Sequence, residues 1–340
     1  MNYRFLGRTG LRVSELGLGG HEFQRFLPSW HFSTNRKFEE PVSREELTST
    51  QEPRNRLIER AVEAGINYFD TGEVAEPQSL GIALKTLARR RDVYVAAETM
   101  NPVKRLGSVP RAKWRDTILE GVDDRLKLLD TDHIDVFNAH ELAGGYSRDR
   151  FEFVLGVLKE AKEQGKIHAI GIADHHPRFM AELIRKYDCF DSVMVPYNYN
   201  LQEVRQDLFP LCKALDIGVV VMKPFNWPYY GMPFMNFSPP GLETGGYTLA
   251  QTSLKWILKS PEVSTIVPGT NTTAELEENL AAFTKESKVD EGVLKKCLDF
   301  ALSKQGRERL QRLSKDEETA KTRAYIKGYS QRILATVTDD

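Results

Sequence analysis

The sequence contains few cysteines, no long apolar run and no long run of charges of one sign. Its three cysteines among 340 residues, Cys189, Cys212 and Cys297, are far apart and form no CxxC pair. This spacing argues against a disulfide framework, a zinc ribbon or an iron–sulfur cluster, and it favours a reducing compartment. No apolar stretch approaches the roughly 18 residues that span a bilayer, and the N-terminus lacks an apolar core of signal-peptide length. We therefore expect a soluble, cytoplasmic protein.

The charge is almost balanced. Lys plus Arg number 47 and Asp plus Glu number 48, which gives a formal net charge of −1. Nothing in this balance predicts a surface for nucleic acid or for an anionic membrane. A chain of this length with 41% hydrophobic residues can bury a large core. We expect a small-molecule substrate as the partner, and the sequence predicts no particular oligomeric state.

Short apolar runs alternate with longer amphipathic segments along the chain. The eight runs are residues 16–20, 66–72, 93–99, 134–140, 167–174, 192–198, 218–225 and 264–270. Such alternation is typical of βα units around a parallel sheet, and eight is the number of strands that closes a barrel. The sequence therefore predicts an α/β fold, a (β/α)8 TIM barrel.

Segments outside the βα units predict additional features. The Thr9-Gly10 turn lies between two short alternating runs and predicts an N-terminal β-hairpin that caps the bottom of the barrel. Residues 21–52 and 226–246 exceed ordinary loop length and are predicted to be lids or binding loops. A helix is expected over residues 52–65, ending at Gly65. We divide the chain into a barrel, residues 1–286, and a helical extension packed on it, residues 287–340.

Ionisable and polar residues end the predicted strands, where barrels of this kind place their active sites. They are Asp70, Glu98, His140, Asp174, Asn198 and Lys223, with His175 and His176 just beyond. If Asp70 and Glu98 lie close together, their repulsion should raise the pKa of one of them and create an acid beside a base near neutral pH. Lys223 could alternatively pair with Glu98 across the mouth of the barrel.

Six segments carry a resemblance to a known family. They are "YRFLGRTGLRVSELGLGG", "GINYFDTGE", "RLKLLDTDHIDVFNAH", "GKIHAIGIAD", "IGVVVMKPF" and "STIVPGTNTTAELEENL". In order and spacing the chain resembles the aldo-keto reductase superfamily over most of residues 1–283. The resemblance implies hydride transfer between a nicotinamide cofactor and a carbonyl, with an Asp, a Tyr, a Lys and a His at the strand ends. It places the Asp at Asp70 and the His at His140, whereas Ala75 stands at the Tyr position and Glu98 at the Lys position. The chain is therefore expected to be a divergent member with a changed proton relay.

The resemblance also locates a cofactor site. It assigns to the cofactor Asp174, Met222, Gly269, Thr270, Glu278 and Asn279. The contacts around the nicotinamide are altered, because Asp174 and Met222 replace familiar residues, whereas the adenosine end is retained. No Lys or Arg lies in residues 269–279, which disfavours the 2′-phosphate of NADP. We expect NAD rather than NADP, with a chain that binds neither as the alternative.

Aromatic residues in the two long loops predict an aromatic-walled substrate pocket, which suits a sugar ring or a ring-containing metabolite. The residues chosen for it are Trp30, Trp227 and Tyr229. Three hypotheses remain open. The first is an NAD-dependent oxidoreductase for a sugar-like or cyclic carbonyl or alcohol, with Asp70, Glu98, His140 and Lys223 as catalytic residues. The second is a non-redox lyase or isomerase that uses the Asp/Glu/His cluster, with or without a metal. The third is a ligand-binding pseudoenzyme.

Overall fold

A sheet of eight parallel strands, closed into a barrel and surrounded by helices, forms the body of the protein. The computed structural model describes residues 1–20, 44–72, 75–100, 102–140, 142, 146–225, 238–270, 272–284 and 290–313. The barrel strands are β3 (Leu18–Gly19), β4 (Tyr68–Asp70), β5 (Tyr94–Met100), β6 (Ile134–His140), β7 (Ile167–Ala173), β8 (Ser192–Pro196), β9 (Gly218–Met222) and β10 (Val263–Val267). They pair in this order, and parallel bridges Leu16–Ile266 and Gly19–Gly269 bring the last strand against the first. The predicted (β/α)8 barrel is confirmed.

Helices follow the strands on the outside. Their bounds are α1 (Arg44–Glu63), α2 (Ala75–Leu87), α3 (Pro102–Leu106), α4 (Trp114–Leu129), α5 (Arg148–Glu163), α6 (Pro177–Lys186), α7 (Leu208–Ala214), α8 (Leu249–Ile257), α9 (Thr273–Thr284), α10 (Gly292–Leu302) and α11 (Lys304–Leu313). Gly65, after α1, and Gly165, after α5, have positive φ angles of 87° and 74°. Glycine adopts this left-handed conformation without the cost that a Cβ atom imposes, which explains why both helices end there.

Side chains along each strand alternate between two separate cores. Phe69, Phe137 and Ile266 pack outward into the large core between sheet and helices, whereas Tyr68, Val136 and Val267 pack into a smaller core inside the barrel. This alternation follows from the two-residue period of a β-strand. Polar residues two positions beyond an inward apolar residue therefore also face the inside, at the carboxyl end of the barrel.

The predicted N-terminal hairpin is present. β1 (Tyr3–Phe5) and β2 (Arg12–Ser14) pair antiparallel, with Tyr3 opposite Ser14. The turn contains Gly10 at a φ of 75°. Leu6, Leu11 and Val13 join the interior core of the barrel, so the hairpin contributes its apolar side chains to the lower end of that core.

Helix α1 is longer than the sequence indicated. The sequence predicts a long loop over residues 21–52, but α1 already begins at Arg44, so the prediction is wrong for residues 44–52. The helix predicted from residue 52 therefore starts too late, and Pro53 lies inside α1 instead of in its first turn. Burial explains the extension, since Leu47 is buried and the Gln51 amide donates to the carbonyl of Ser79 at 3.0 Å.

Two helices, α10 and α11, follow the barrel as a C-terminal helical extension. Leu294 and Cys297 of α10 are buried in the outer core. The boundary between 1–286 and 287–340 stays a prediction. No helix in the described part of the chain has the length and hydropathy needed to cross a bilayer.

Candidate active site

Three ionisable side chains predicted to meet do so at the carboxyl ends of consecutive strands. Asp70 ends β4, Glu98 lies near the end of β5, and His140 ends β6. Glu98 and His140 are 4% and 9% exposed. Alternation directs all three inward, because their outward neighbours Phe69, Ala97 and Ala139 belong to the outer core. The result is a group of two acids and an imidazole in which Glu98 and His140 are buried and Asp70 is partly exposed.

Glu98 and His140 form a hydrogen-bonded pair. The Nδ1 atom of His140 lies 2.7 Å from Oε1 of Glu98. Because an ionised carboxylate only accepts, Nδ1 carries the proton and donates, and a neutral His140 then has its accepting nitrogen at Nε2. The backbone carbonyl of Glu98 accepts a bond from Arg125 Nε at 3.0 Å. Glu98 is therefore held at both its main chain and its side chain, and it fixes the orientation of the imidazole.

The pKa of Asp70 is shifted far from its ordinary value. Burial, and secondly the charge of Glu98, raise the pKa of Asp70 from 3.8 to about 7, while His140 and Lys223 lower it. Its Oδ1 atom is buried and has no hydrogen-bond partner among the described residues. The sequence predicted that repulsion would raise one carboxyl pKa; the direction agrees, but desolvation is the larger cause. Asp70 can thus take up or release a proton near neutral pH.

Lys223 does not pair with Glu98, and that alternative is wrong. Its ammonium group instead lies 2.9 Å from Nε2 of His175, which must accept because an ammonium only donates. Lys223 has a left-handed backbone with a φ of 55°, and Asn198 donates to its carbonyl at 3.0 Å. The rings of His175 and His140 are 5.9 Å apart. Lys223 therefore faces the cluster from the side opposite Glu98, and its charge still reaches Asp70.

The loop that follows β4 contacts Glu76 and Glu98 through Gly72, and no sequence pattern predicts these contacts. The amide of Gly72 donates to Oε2 of Glu76 at 2.5 Å, and Glu76 is only 1% exposed. A Cβ atom on Gly72 would lie 2.8 Å from Oε1 of Glu98. Glu76 thus holds the backbone of Gly72 in place. At this position any side chain would displace Glu98. Arg54 of α1 acts electrostatically on Glu76, and burial lowers the pKa of Arg54 to about 10.

The residues assigned to the nicotinamide lie on the same face of the barrel, but the side chain of Asp174 already forms hydrogen bonds within the protein. Its Oδ1 accepts from the amide of His176 at 3.1 Å and lies 2.8 Å from Nδ1 of that residue. Asp174 therefore fixes the start of α6. Met222 ends β9, is 8% exposed and belongs to the interior core next to the mouth.

The residues assigned to adenosine lie apart from the carboxylates, between β10 and α9. Asn279 donates to the hydroxyl of Thr270 at 3.3 Å, and both are buried, so they fasten α9 to the turn after β10. Glu278 is partly exposed, and Gly269 bridges to Gly19. Thr272 and Glu275 cap α9 reciprocally, the Glu275 amide donating to Thr272 Oγ1 at 3.2 Å and the Thr272 amide to Glu275 at 3.3 Å.

Several predicted residues lie outside the described part of the chain. They are Trp30, Trp227 and Tyr229 of the predicted substrate pocket. The backbone of Ala75 begins α2. Within the described residues, no three His, Cys, Asp or Glu side chains are arranged to hold a metal ion.

A closed parallel barrel with buried acid, base and imidazole groups at the carboxyl ends of its strands defines a class of protein, the (β/α)8 barrels with an active-site mouth. The sequence pattern of the aldo/keto reductase family matches residues 30–228 and 242–297. Because this match covers more than half of the chain, the protein belongs to the aldo/keto reductase family.

Individual relatives are distant but cover most of the chain. L-galactose dehydrogenase of Arabidopsis thaliana is 23% identical over 303 residues, which cover 83% of this chain and 88% of that protein. Pyridoxine 4-dehydrogenase of Escherichia coli is 27% identical over 243 residues, with 66% and 79% covered. The structure of an aldo-keto reductase from Bacillus halodurans in its holo form has a TM-score of 0.63 at 22% identity and covers 90% of this chain and 99% of that one. These similarities agree with a nicotinamide-dependent oxidoreductase.

Proposed function

We propose that the protein is an NAD-dependent oxidoreductase that interconverts a sugar-like or cyclic carbonyl and its alcohol, with Asp70 as the group that exchanges the proton. The observation that carries this proposal is the convergence of Asp70, Glu98 and His140 at the strand ends, where burial and the charge of Glu98 raise the pKa of Asp70 to about 7. A group of this pKa is protonated often enough to donate to a carbonyl oxygen and ionised often enough to accept from an alcohol.

The remaining residues of the mouth have distinct roles in this proposal. Glu98 holds the Nδ1 proton of His140, so that His140 presents one orientation of its ring to the substrate oxygen. Lys223 contributes positive charge, which favours the ionised form of Asp70 and offsets the repulsion by Glu98. With Asp70, these residues would take over the roles of the family's Tyr and Lys. At the positions of that Tyr and Lys this sequence has Ala75 and Glu98.

The chain fits a nicotinamide cofactor better at the adenosine end than at the nicotinamide end. The buried Thr270–Asn279 bond gives the turn after β10 a fixed shape beside α9, and Glu278 remains partly exposed there. Gly269, Thr270, Glu278 and Asn279 would hold the adenosine, and Met222 would contact the nicotinamide. When bound, the cofactor supplies the hydride.

Charge near the start of α9 supports NAD over NADP. Residues 269–279 contain no Lys or Arg, and Glu275 turns back over the amide of Thr272. A 2′-phosphate placed here would meet a carboxylate instead of a basic side chain. We therefore infer weaker binding of NADP than of NAD.

The substrate class is inferred from two relatives. The names of both state a dehydrogenase activity, one on the sugar L-galactose and one on pyridoxine, which contains a ring and alcohol groups. The predicted aromatic residues Trp30, Trp227 and Tyr229 would suit the ring face of either kind of molecule.

The decisive experiment combines cofactor titration with substrate screening. NADH and NADPH binding would be measured by fluorescence, and oxidation of NADH would then be followed at about pH 6.5 with aldoses and ring aldehydes. Asp70→Asn should bind NADH as the wild type does and lose about 10²- to 10⁴-fold in kcat. Glu182→Gln, on the exposed face of α6, is the control. Failure to bind either cofactor would sink the proposal, and unchanged kcat in Asp70→Asn would remove Asp70 from it.

A further inference from the structure

From the mouth downward, five buried polar atoms inside the barrel have no hydrogen-bond partner among the described residues. They are Oδ1 of Asp70, the phenol oxygen of Tyr68, Nδ2 of Asn138, and the hydroxyl oxygens of Ser192 and Thr265. All five residues face the inside of the barrel, because their outward neighbours, such as Phe69, Phe137, Val193 and Ile266, belong to the outer core. Nearly all buried polar groups in native proteins are hydrogen-bonded, so these five inward-facing atoms point to a small hydrogen-bonding partner inside the barrel.

Small residues on neighbouring strands let these polar side chains approach the backbone inside the barrel. Gly17, Ala96 and Gly171 also face inward, between outward neighbours such as Leu16, Ala97 and Ile170. A Cβ atom on Gly171 would lie 2.0 Å from Oδ1 of Asn138 and 3.0 Å from the hydroxyl of Ser192. On Gly17 it would lie 3.2 Å from the hydroxyl of Thr265. The polar side chains of Asn138 and Ser192 therefore converge on the backbone of Gly171, and that of Thr265 lies against the backbone of Gly17.

The chemistry of these atoms suits water. A phenol and an amide nitrogen donate, an ionised carboxylate accepts, and the Ser and Thr hydroxyls do both. A buried water molecule makes about three hydrogen bonds and can satisfy such a mixed set. Tyr68 is 0% exposed and belongs to the same interior core as the apolar residues of the hairpin, and this close packing favours a ligand as small as water.

We propose that the barrel interior between Tyr68 and Asp70 binds ordered water, and that Tyr68 is a positioning residue that donates a hydrogen bond through this water to the Asp70 carboxylate. The effect on turnover rests on the proposed role of Asp70, whereas the water site does not. The pKa of Tyr68 lies well above its ordinary value of 10, first because of burial and then because of the charges of Asp70 and Asp135. Tyr68 consequently stays a donor throughout the pH range in which Asp70 titrates.

Other groups also act on Asp70, and the test has to leave them unchanged. They are Glu98 on β5, His140 on β6 and Lys223 after β9. Glu76 on α2 lies near the backbone of Asp70. Tyr68→Phe removes one hydroxyl and alters none of them. Tyr94→Phe is the matched control, because Tyr94 pairs with Tyr68 on the neighbouring strand and packs against the same interior core.

The experiment titrates the Asp70 carboxyl carbon by NMR in the full chain without substrate, with Asp70→Asn to assign the signal. Removing the donor should destabilise the ionised form, so Tyr68→Phe should raise the Asp70 pKa by about one unit, and Tyr94→Phe should leave it unchanged. A crystal structure of the wild type should show water density between Tyr68 and Asp70, and that of Tyr68→Phe should show fewer or displaced waters.

Equal Asp70 titration in Tyr68→Phe and Tyr94→Phe, or a dry interior in the crystal, overturns the inference. If Tyr68→Phe does not fold, Thr265→Val replaces it, since it removes another bordering hydroxyl at similar volume; an unchanged Asp70 pKa and unchanged water there count equally against the site. Neither readout requires turnover. An inactive protein with the expected titration would refute the proposed function alone, and an active protein without the shift would refute this inference alone.

Discussion

Replacing Asp70 by Asn should make the stability of the protein less sensitive to pH between about 5.5 and 8.5. In the folded protein the pKa of Asp70 is raised from 3.8 to about 7. An acid with a raised folded pKa stabilises the fold while it is protonated and loses that contribution as the pH rises through the folded pKa, because the unfolded chain ionises more readily. At about pH 5.5 unfolded Asp70 is ionised while folded Asp70 keeps its proton, and at about pH 8.5 both are ionised.

The size of this stability change follows from the part of the Asp70 pKa shift that lies within this pH range. From about pH 5.5 to a pKa of about 7, at about 1.36 kcal/mol per unit, the wild type should lose about 2 kcal/mol of unfolding free energy through Asp70. Solvent at this partly exposed residue reduces the figure. The Asn variant carries no charge and should lose none of it.

Urea denaturation gives the unfolding free energy of both proteins at the two pH values. The loss between the two pH values in the Asn variant is then subtracted from the loss in the wild type. Contributions of His140 and other groups common to both proteins largely cancel. Glu182→Gln, whose carboxyl group is exposed on α6, should follow the wild type. If wild type and Asp70→Asn lose the same free energy across the window, Asp70 is not the residue with the raised pKa, and the reasoning from burial and Glu98 fails.

Two further predictions concern the surroundings of Asp70. Lys223→Met should raise the Asp70 pKa, since Lys223 lowers it, and the upper limb of the pH profile for carbonyl reduction should move to higher pH; an unchanged profile would contradict the assigned charge effect. Gly72→Ala should lower kcat about 10-fold or more without unfolding the chain, because the new methyl group would lie 2.8 Å from Glu98 Oε1 and displace it from His140. Circular dichroism checks the fold, and wild-type kcat in this variant would show that Glu98 needs no fixed position.

The strand ends were predictable from the sequence because two simple periodicities determine them. A two-residue period directs every second side chain inward, and parallel strands bring their carboxyl ends to one face, so Asp70, Glu98 and His140 had to converge. The partners within the mouth were not predictable. Whether Lys223 reaches Glu98 or His175 depends on its left-handed backbone, for which a lysine gives no sequence signal. The early start of α1 was missed because a proline inside a helix imitates a helix start.

The contribution of Glu76 was hidden for a different reason. Its contact is with the backbone of Gly72, and a backbone contact between a loop and the first turn of a helix has no characteristic residue spacing. Glu76 is only 1% exposed. A carboxylate buried this deeply is tolerated only when hydrogen-bond donors, such as the amide of Gly72, lie nearby.

The left-handed backbone of Lys223 places stability and activity in conflict at one residue. A lysine at a φ of 55° costs about 1 kcal/mol relative to a residue without a Cβ atom. Selection for stability alone would therefore replace it with glycine, and the resulting protein would keep the barrel while its mouth lost a positive charge. Efforts to increase heat resistance by favouring relaxed backbone conformations would erode this site first.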